Sequence, residues 1–272
     1  MRNHVVHSPD AWVTTRPATG LGGRPTTDPG AGPRVGPGGG TAGRPSAPRY
    51  SPSMLLSEAV RRLAGLPADL PAPGVLPPAP DAIRAVVVGD GTDTERLKLG
   101  VATEPRAAAA LVLLFPGDEG EARLVLMERT DDGGAHARQV SCPGGSVEPI
   151  DRDVVDAALR EAAEEVGLDA DAAGVTVLGR LERIHVAASG FTIDPVVAIA
   201  ARRPTLVPNP LEVAAILTPP LATFLPGAPI VEVEDVVRGW SLRYGGYPVE
   251  GRIVWGATAR ILGQLGAIVG PE

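Results

Sequence analysis

From about residue 82 onward apolar residues come in short bursts, and the spacing within each burst separates strands from helices. IRAVVVG, AAAALVLLF and ARLVLMERT are near-continuous apolar runs of strand length, the last two joined through the hairpin-like PGDEGE. A short QVSC strand follows, then a loop, then a helix from about residue 152 to 167. VTVLGRLERIHV, FTIDPVVAIA and EVAAILT continue as strands, and WGATARILGQLGAIV has the amphipathic spacing of a C-terminal helix. Strands alternating with helices predict an α/β unit.

The chain before this unit reads differently. Residues 1–53 are mostly Gly, Pro, Thr, Ser and Arg, with almost nothing to bury, so burial cannot offset the entropy of ordering them and a disordered tail is expected. Its arginines read as solvated charges rather than an RNA-binding arm. Met54 follows directly, and a start of translation there is an open alternative. LLSEAVRRLAG puts Leu55, Leu56, Val60 and Leu63 on one side of a helix that stops at Gly65. LPADLPAPGVLPPAP then reads as an extended linker or a surface wrap. The expected organisation is a tail (1–53), a helix with a Pro-rich connector (54–81) and one folded domain (82–272).

Composition narrows the function. The 272 residues carry a net charge of -7, which disfavours a dedicated nucleic-acid binder because phosphate backbones reward clustered Lys and Arg. A nucleotide whose charge is met by bound metal stays compatible. No apolar run approaches the roughly 18 residues that cross a bilayer, and the first residues lack a secretory-type apolar stretch. A single cysteine, Cys142, excludes an internal disulfide and suits a reducing cytoplasm.

The chemistry concentrates in PGGSVEPIDRDVVDAALREAAEEVGL, residues 143–168. Val154, Val155, Ala158, Leu159, Ala162 and Val166 form one stripe at about 100° per residue. Glu161, Glu164 and Glu165 stand at i, i+3 and i+4 along one edge of that stripe, where three like charges repel unless a cation joins them. Oxygen ligands alone suit a hard divalent ion, magnesium or manganese. Gly144 and Gly145 let the backbone approach a ligand closely, Asp151 and Asp153 lie where carboxylates cap a helix, and Gly167 marks the stop. Glu-rich helix faces are usually solvated surface; a Pro-Gly-Gly turn, an acidic loop and REAAEEVG in one stretch argue against that here.

This stretch resembles the Nudix box. Arg160, Glu161, Ala162, Glu164, Glu165, Gly167 and Leu168 match its second half. In the first half Arg152 falls where the pattern has Glu, and one extra loop residue restores the match with Gly145 and Asp151. The lengthened loop resembles the coenzyme A pyrophosphatase branch, as do the lead-in Gln139-Val140-Ser141-Cys142-Pro143-Gly144-Gly145, the FTIDPVVAIA strand, the Asn209–Val213 run and the Trp255–Ala259 helix start. The likeness spans roughly residues 104–268. It departs in its basic lead-in, where Gly134 and Arg138 replace the usual pattern beside Asp131 and Asp132, and in Cys142, which stands where the branch has Phe and is expected to be a buried, inert thiol.

The resemblance implies a Nudix fold, a mixed β-sheet sandwiched between helices. It implies hydrolysis of a pyrophosphate bond in coenzyme A or its thioesters, with magnesium or manganese held by Glu161, Glu164 and Glu165. Glu164 or Glu212 is the candidate base. Arg129, His136, Arg138, Gly144 and Gly145 are candidate substrate contacts, and Arg160 with Asp151 a structural pair. The partner is a nucleotide-containing small molecule, not nucleic acid or membrane, and a homodimer is left open. The alternatives are a Nudix enzyme for ADP-ribose or nucleoside triphosphates, and a non-catalytic nucleotide-binding Nudix module.

Overall fold

The computed structural model describes residues 14–15, 53–88, 105–131, 138–186, 189–237 and 240–270. The strands are β1 (Thr14–Thr15), β2 (Val86–Val87), β3 (Arg106–Pro116), β4 (Ala122–Leu124), β5 (Leu126–Arg129), β6 (Val140–Ser141), β7 (Gly144–Ser146), β8 (Val175–Arg180), β9 (Ile184–Val186), β10 (Phe191–Ala200), β11 (Val213–Leu217), β12 (Val231–Val237), β13 (Trp240–Val249) and β14 (Arg252–Val254). The helices are α1 (Leu56–Leu63), α2 (Val154–Val166), α3 (Ala170–Ala173) and α4 (Gly256–Val269).

The centre is a six-stranded mixed sheet in which β4, β3, β10 and β8 lie in that order, β7 adds to β3 and β9 to β10. Strands β3 and β10 run parallel and the other pairings are antiparallel. The run in β3 is continuously apolar because both of its faces are covered, as in sheets sandwiched between helices. On one face Ala109, Leu111 and Leu113 meet Ala158, Ala162 and Val166 of α2. On the other, Val112 and Leu114 share a core with Leu63 of α1 and Leu262 and Leu265 of α4. This is the α/β unit that the alternation of elements predicted, with the sandwiched mixed sheet that the resemblance implied.

Three features differ from the sequence reading. Residues 144–146, expected in a loop, form β7, with Ala109 paired to Gly145 and Ala110 to Gly144. Small residues with no strand propensity extend here because β3 offers an unpaired edge. The run ARLVLMERT divides at Val125 into β4, which stays on the central sheet, and β5, which joins β11 and β6 in a separate three-stranded sheet. Strands β12 to β14 were not anticipated; they make a C-terminal hairpin tied to β5 by Arg252 Nε donating to Glu128 at 2.7 Å.

The Pro-rich stretch wraps the domain. Arg180 N–H donates to the carbonyl of Pro67, Leu76 N–H donates to Glu182, and Leu66, Leu76 and Ala79 pack on the core. Of the expected tail, Thr14–Thr15 pair in parallel with β2, and apart from Ser53 the rest lies outside the described residues. Among the described residues no helix is long and apolar enough to cross a membrane.

Candidate active site

Helix α2 carries the site and is fixed at both ends. Asp153 caps its start, accepting from the N–H groups of Val155 at 2.8 Å and Asp156 at 3.0 Å. Gly167 ends it in the left-handed conformation at φ 64°. Val154, Val155 and Leu159 are half-buried, whereas Ala157 joins the fully buried stripe.

Glu165 is drawn into the fold: only 1% of it is exposed, and Gly144 N–H donates to its Oε2 at 2.8 Å. The Arg129 guanidinium stands 3.6 Å from Oε1, too far for a hydrogen bond. Burial pushes this carboxyl up to about 7, and the charges of Glu161 and Glu212 add to the rise against the pull of Gly144 and Arg129. Glu161 is raised in the same direction, first by burial, with Arg160 opposing and Glu164 and Glu212 adding repulsion.

The two glycines explain how a helix carboxylate reaches the sheet. A Cβ on Gly145 would stand 2.6 Å from the Glu161 carboxylate. One on Gly144, whose φ is 155°, would stand 2.2 Å from the carbonyl oxygen of Ala109. Gly144, which faces fixed backbone, is closed to any side chain, whereas a side chain at Gly145 would push the Glu161 carboxylate from its place.

Arg160 organises the outer edge. Its Nε and Nη2 donate to the two oxygens of Asp151 at 2.9 and 3.0 Å, and Nη2 also reaches the Ser146 carbonyl at 3.1 Å. Nη1 donates to Glu161 at 2.9 Å and to Glu164 at 3.2 Å. Two-pronged contacts of this kind fix direction as well as charge. The hydrogen bonds from Arg160, then the N–H of Glu148, hold Asp151 below the usual carboxylate range.

Glu212 arrives from the turn before β11, and its charge is felt by both Glu161 and Glu165. Glu164, by contrast, stands outward with 57% of its side chain exposed. Arg138 is turned to Asp131 at 3.1 Å and lies largely in solvent. The Gly144 N–H, a candidate phosphate donor, is taken by Glu165 instead. His136 lies outside the described residues. Cys142 is buried in the core beside Val140, and desolvation pushes its thiol up to about 12.

Among the described residues no three acidic, His or Cys side chains converge as a ready cation cage. The carboxylates have turned to two protein donors instead, Glu161 and Glu164 to Arg160 Nη1 and Glu165 to the Gly144 N–H. The donor set nevertheless fits a divalent ion. A buried carboxylate facing two others, with one N–H and a distant arginine against it, is an anion short of positive charge, and its ligand atoms are all hard oxygens.

Fold and site together define an α/β protein with a row of acidic side chains along one edge of a helix. The family model described as NUDIX domain matches residues 105–215. The chain is 34% identical over 174 residues to Nudix hydrolase 22, chloroplastic, of Arabidopsis thaliana, covering 61% of this chain and 56% of that protein. It is 34% identical over 142 residues to a protein named uncharacterized Nudix hydrolase NudL of Photorhabdus laumondii, covering 52% of this chain and 74% of that one. A crystal structure of RenU, a Nudix hydrolase from M. smegmatis, is 26% identical and overlaps with a TM-score of 0.37, covering 44% of this chain and 73% of that one.

The chain belongs to the Nudix hydrolase family. That family comprises hydrolases of pyrophosphate bonds that generally use divalent metal ions. This chain spans just over half the length of the Arabidopsis relatives it matches.

Proposed function

We propose that this protein hydrolyses the pyrophosphate bond of coenzyme A or its thioesters, giving 4'-phosphopantetheine and adenosine 3',5'-bisphosphate. The observation that carries the hydrolytic part is the buried Glu165 on the edge of α2, raised to about 7, with the charges of Glu161 on the same helix and Glu212 in the turn before β11 acting on it. The coenzyme A part rests on the sequence around it: the QVSCPGG lead-in, the loop lengthened by one residue before α2, and the Asn209–Val213 run.

In this reading Glu161, Glu164 and Glu165 would hold the cation, magnesium or manganese, which when bound would supply positive charge against the diphosphate and a more acidic water. Glu212, or Glu164 within the cluster, takes the proton as water adds to phosphorus and the bridging P–O bond breaks. Arg129 faces the phosphates, since it already stands beside Glu165 and has no hydrogen bond to it. Arg160 and Asp151 hold the 146–151 loop against α2, so that Gly145 stays beneath Glu161. We take the protein to be cytoplasmic, a reading supported by its single cysteine, which suits a reducing compartment.

One observation favours a second substrate class. Arg138 is paired with Asp131, which thins the positive charge expected for a coenzyme with an additional phosphate. That favours a less charged nucleoside diphosphate derivative such as ADP-ribose. Purified full-length chain with magnesium or manganese, presented with coenzyme A, acyl-coenzyme A, ADP-ribose and nucleoside triphosphates, separates these readings when products are resolved by mass. Formation of 4'-phosphopantetheine is expected. Turnover of ADP-ribose alone selects the second reading, and a fully active Glu164→Gln, Glu165→Gln double variant removes the mechanism.

A further inference from the structure

We propose that Asn209 is a positioning residue, holding the turn that sets Glu212 against the carboxylate edge of α2. The inference rests on the reading of Glu212 as the proton acceptor given above.

Asn209 connects the two elements at one point. Its N–H donates to the carbonyl of Glu165 at 2.8 Å, taking up one of the last helix carbonyls that has no partner within the helix. Its own carbonyl accepts from Glu212 N–H at 3.1 Å and Val213 N–H at 2.8 Å. A four-residue turn thus runs from Asn209 to Glu212 with Pro210 second, the position where its fixed φ is best placed. The metal ligand Glu165 and the candidate base Glu212 are separated by a single residue's hydrogen bonds.

Backbone bonds alone would be made by almost any residue. The side chain adds what only a few residues supply: Asn209 Oδ1 accepts from Leu211 N–H at 3.1 Å, an Asx-turn nested inside the larger one. Packing does not substitute for it, because Leu211 is 82% exposed and Pro210 and Glu212 also face solvent. The far side is pinned by Thr130, whose N–H donates to the Glu212 carbonyl at 2.9 Å and whose hydroxyl donates to the Leu211 carbonyl at 3.1 Å. Removing Oδ1 therefore loosens the turn on the Asn209 side and lets Glu212 swing, while the core beneath it is untouched.

The test uses the full chain with magnesium and coenzyme A, or with whichever substrate the screen selects. Asn209→Ala should lower kcat by roughly 10-fold to 100-fold with KM and melting temperature little changed, as misplacement of a reacting group by about an ångström does. Asn209→Ser or Asn209→Asp, which restore an acceptor oxygen, should recover at least about threefold of that loss. In a Glu212→Gln background Asn209→Ala should cost less than about twofold more, since the group it positions is gone. An Asn209→Ala enzyme with native kcat overturns the inference. So does an equal loss from Asn209→Ala in the native and Glu212→Gln backgrounds, or the absence of rescue by both acceptor variants. A folded Glu212→Gln enzyme with full activity fails differently, since it removes Glu212 as the proton acceptor and the role of Asn209 with it.

Discussion

Glu165 should make the metal-free protein less stable as the pH rises. An isolated glutamate titrates near 4.5, but burial raises this one to about 7. Between those values the folded chain keeps a proton that the unfolded chain releases, so unfolding is favoured progressively as pH increases. Above about 7 both states are ionised and the loss levels off. At 1.36 kcal/mol per pKa unit, the charged carboxylate costs about 1 kcal/mol at pH 5.5 and about 3 kcal/mol at pH 8.5. Glu165→Gln keeps an oxygen for the Gly144 N–H and removes the charge, so it should recover that cost.

The assay is urea unfolding in the presence of a chelator, with native and Glu165→Gln proteins compared at both pH values. Glu165→Gln should be the more stable, and its advantage should widen by about 2 kcal/mol from pH 5.5 to pH 8.5. Magnesium at about a thousand times Kd should reverse the order, since the native protein gains about 4.1 kcal/mol there, more than the cost of the buried charge, and the variant binds the ion poorly. A difference that does not change with pH, or a variant less stable than native at pH 8.5, would refute the claim that burial strains this carboxylate.

Further outcomes follow from the same geometry. Gly144→Ala forces a methyl group against the Ala109 carbonyl at 2.2 Å, so the β3–β7 pairing must open. Destabilisation of about 3 kcal/mol or more is expected, a fall of roughly 6–12 °C in Tm by calorimetry; a native Tm would mean β7 is not seated there. Cys142, with its thiol pushed up to about 12 and nearly no exposure, should resist an aromatic disulfide reagent at pH 8 until the protein is unfolded. Immediate modification of the native protein would contradict its burial. Asp151→Asn leaves the loop with a weaker hold on Arg160, and turnover should fall while α2 stays helical by circular dichroism.

Local chemistry written along the chain determined much of this protein. The 3.6-residue spacing of α2 defines which residues share an edge, so Glu161, Glu164 and Glu165 are assigned to one side of a helix before any coordinates exist. Caps behave the same way: Asp153 and Gly167 mark the ends of α2 because their preferences act within a turn or two. A continuous apolar run announces β3, since a strand covered on both faces has no polar alternation to offer.

What only the tertiary structure decided depends on groups far apart in sequence. Nothing in Gly144-Gly145-Ser146 favours a strand; the pairing comes from the edge of β3, more than thirty residues earlier. The same pairing brings Gly144 N–H to Glu165 and thereby separates three equivalent-looking glutamates into one buried, one half-buried and one exposed. Spacing alone treats them alike, because desolvation is a property of the surroundings and not of the residue. The approach of Glu212 is of this kind as well. An Asn-Pro pair signals a turn, but its docking on the last turn of α2 follows from free helix carbonyls meeting Val207 and Asn209 N–H groups, a contact no local pattern encodes.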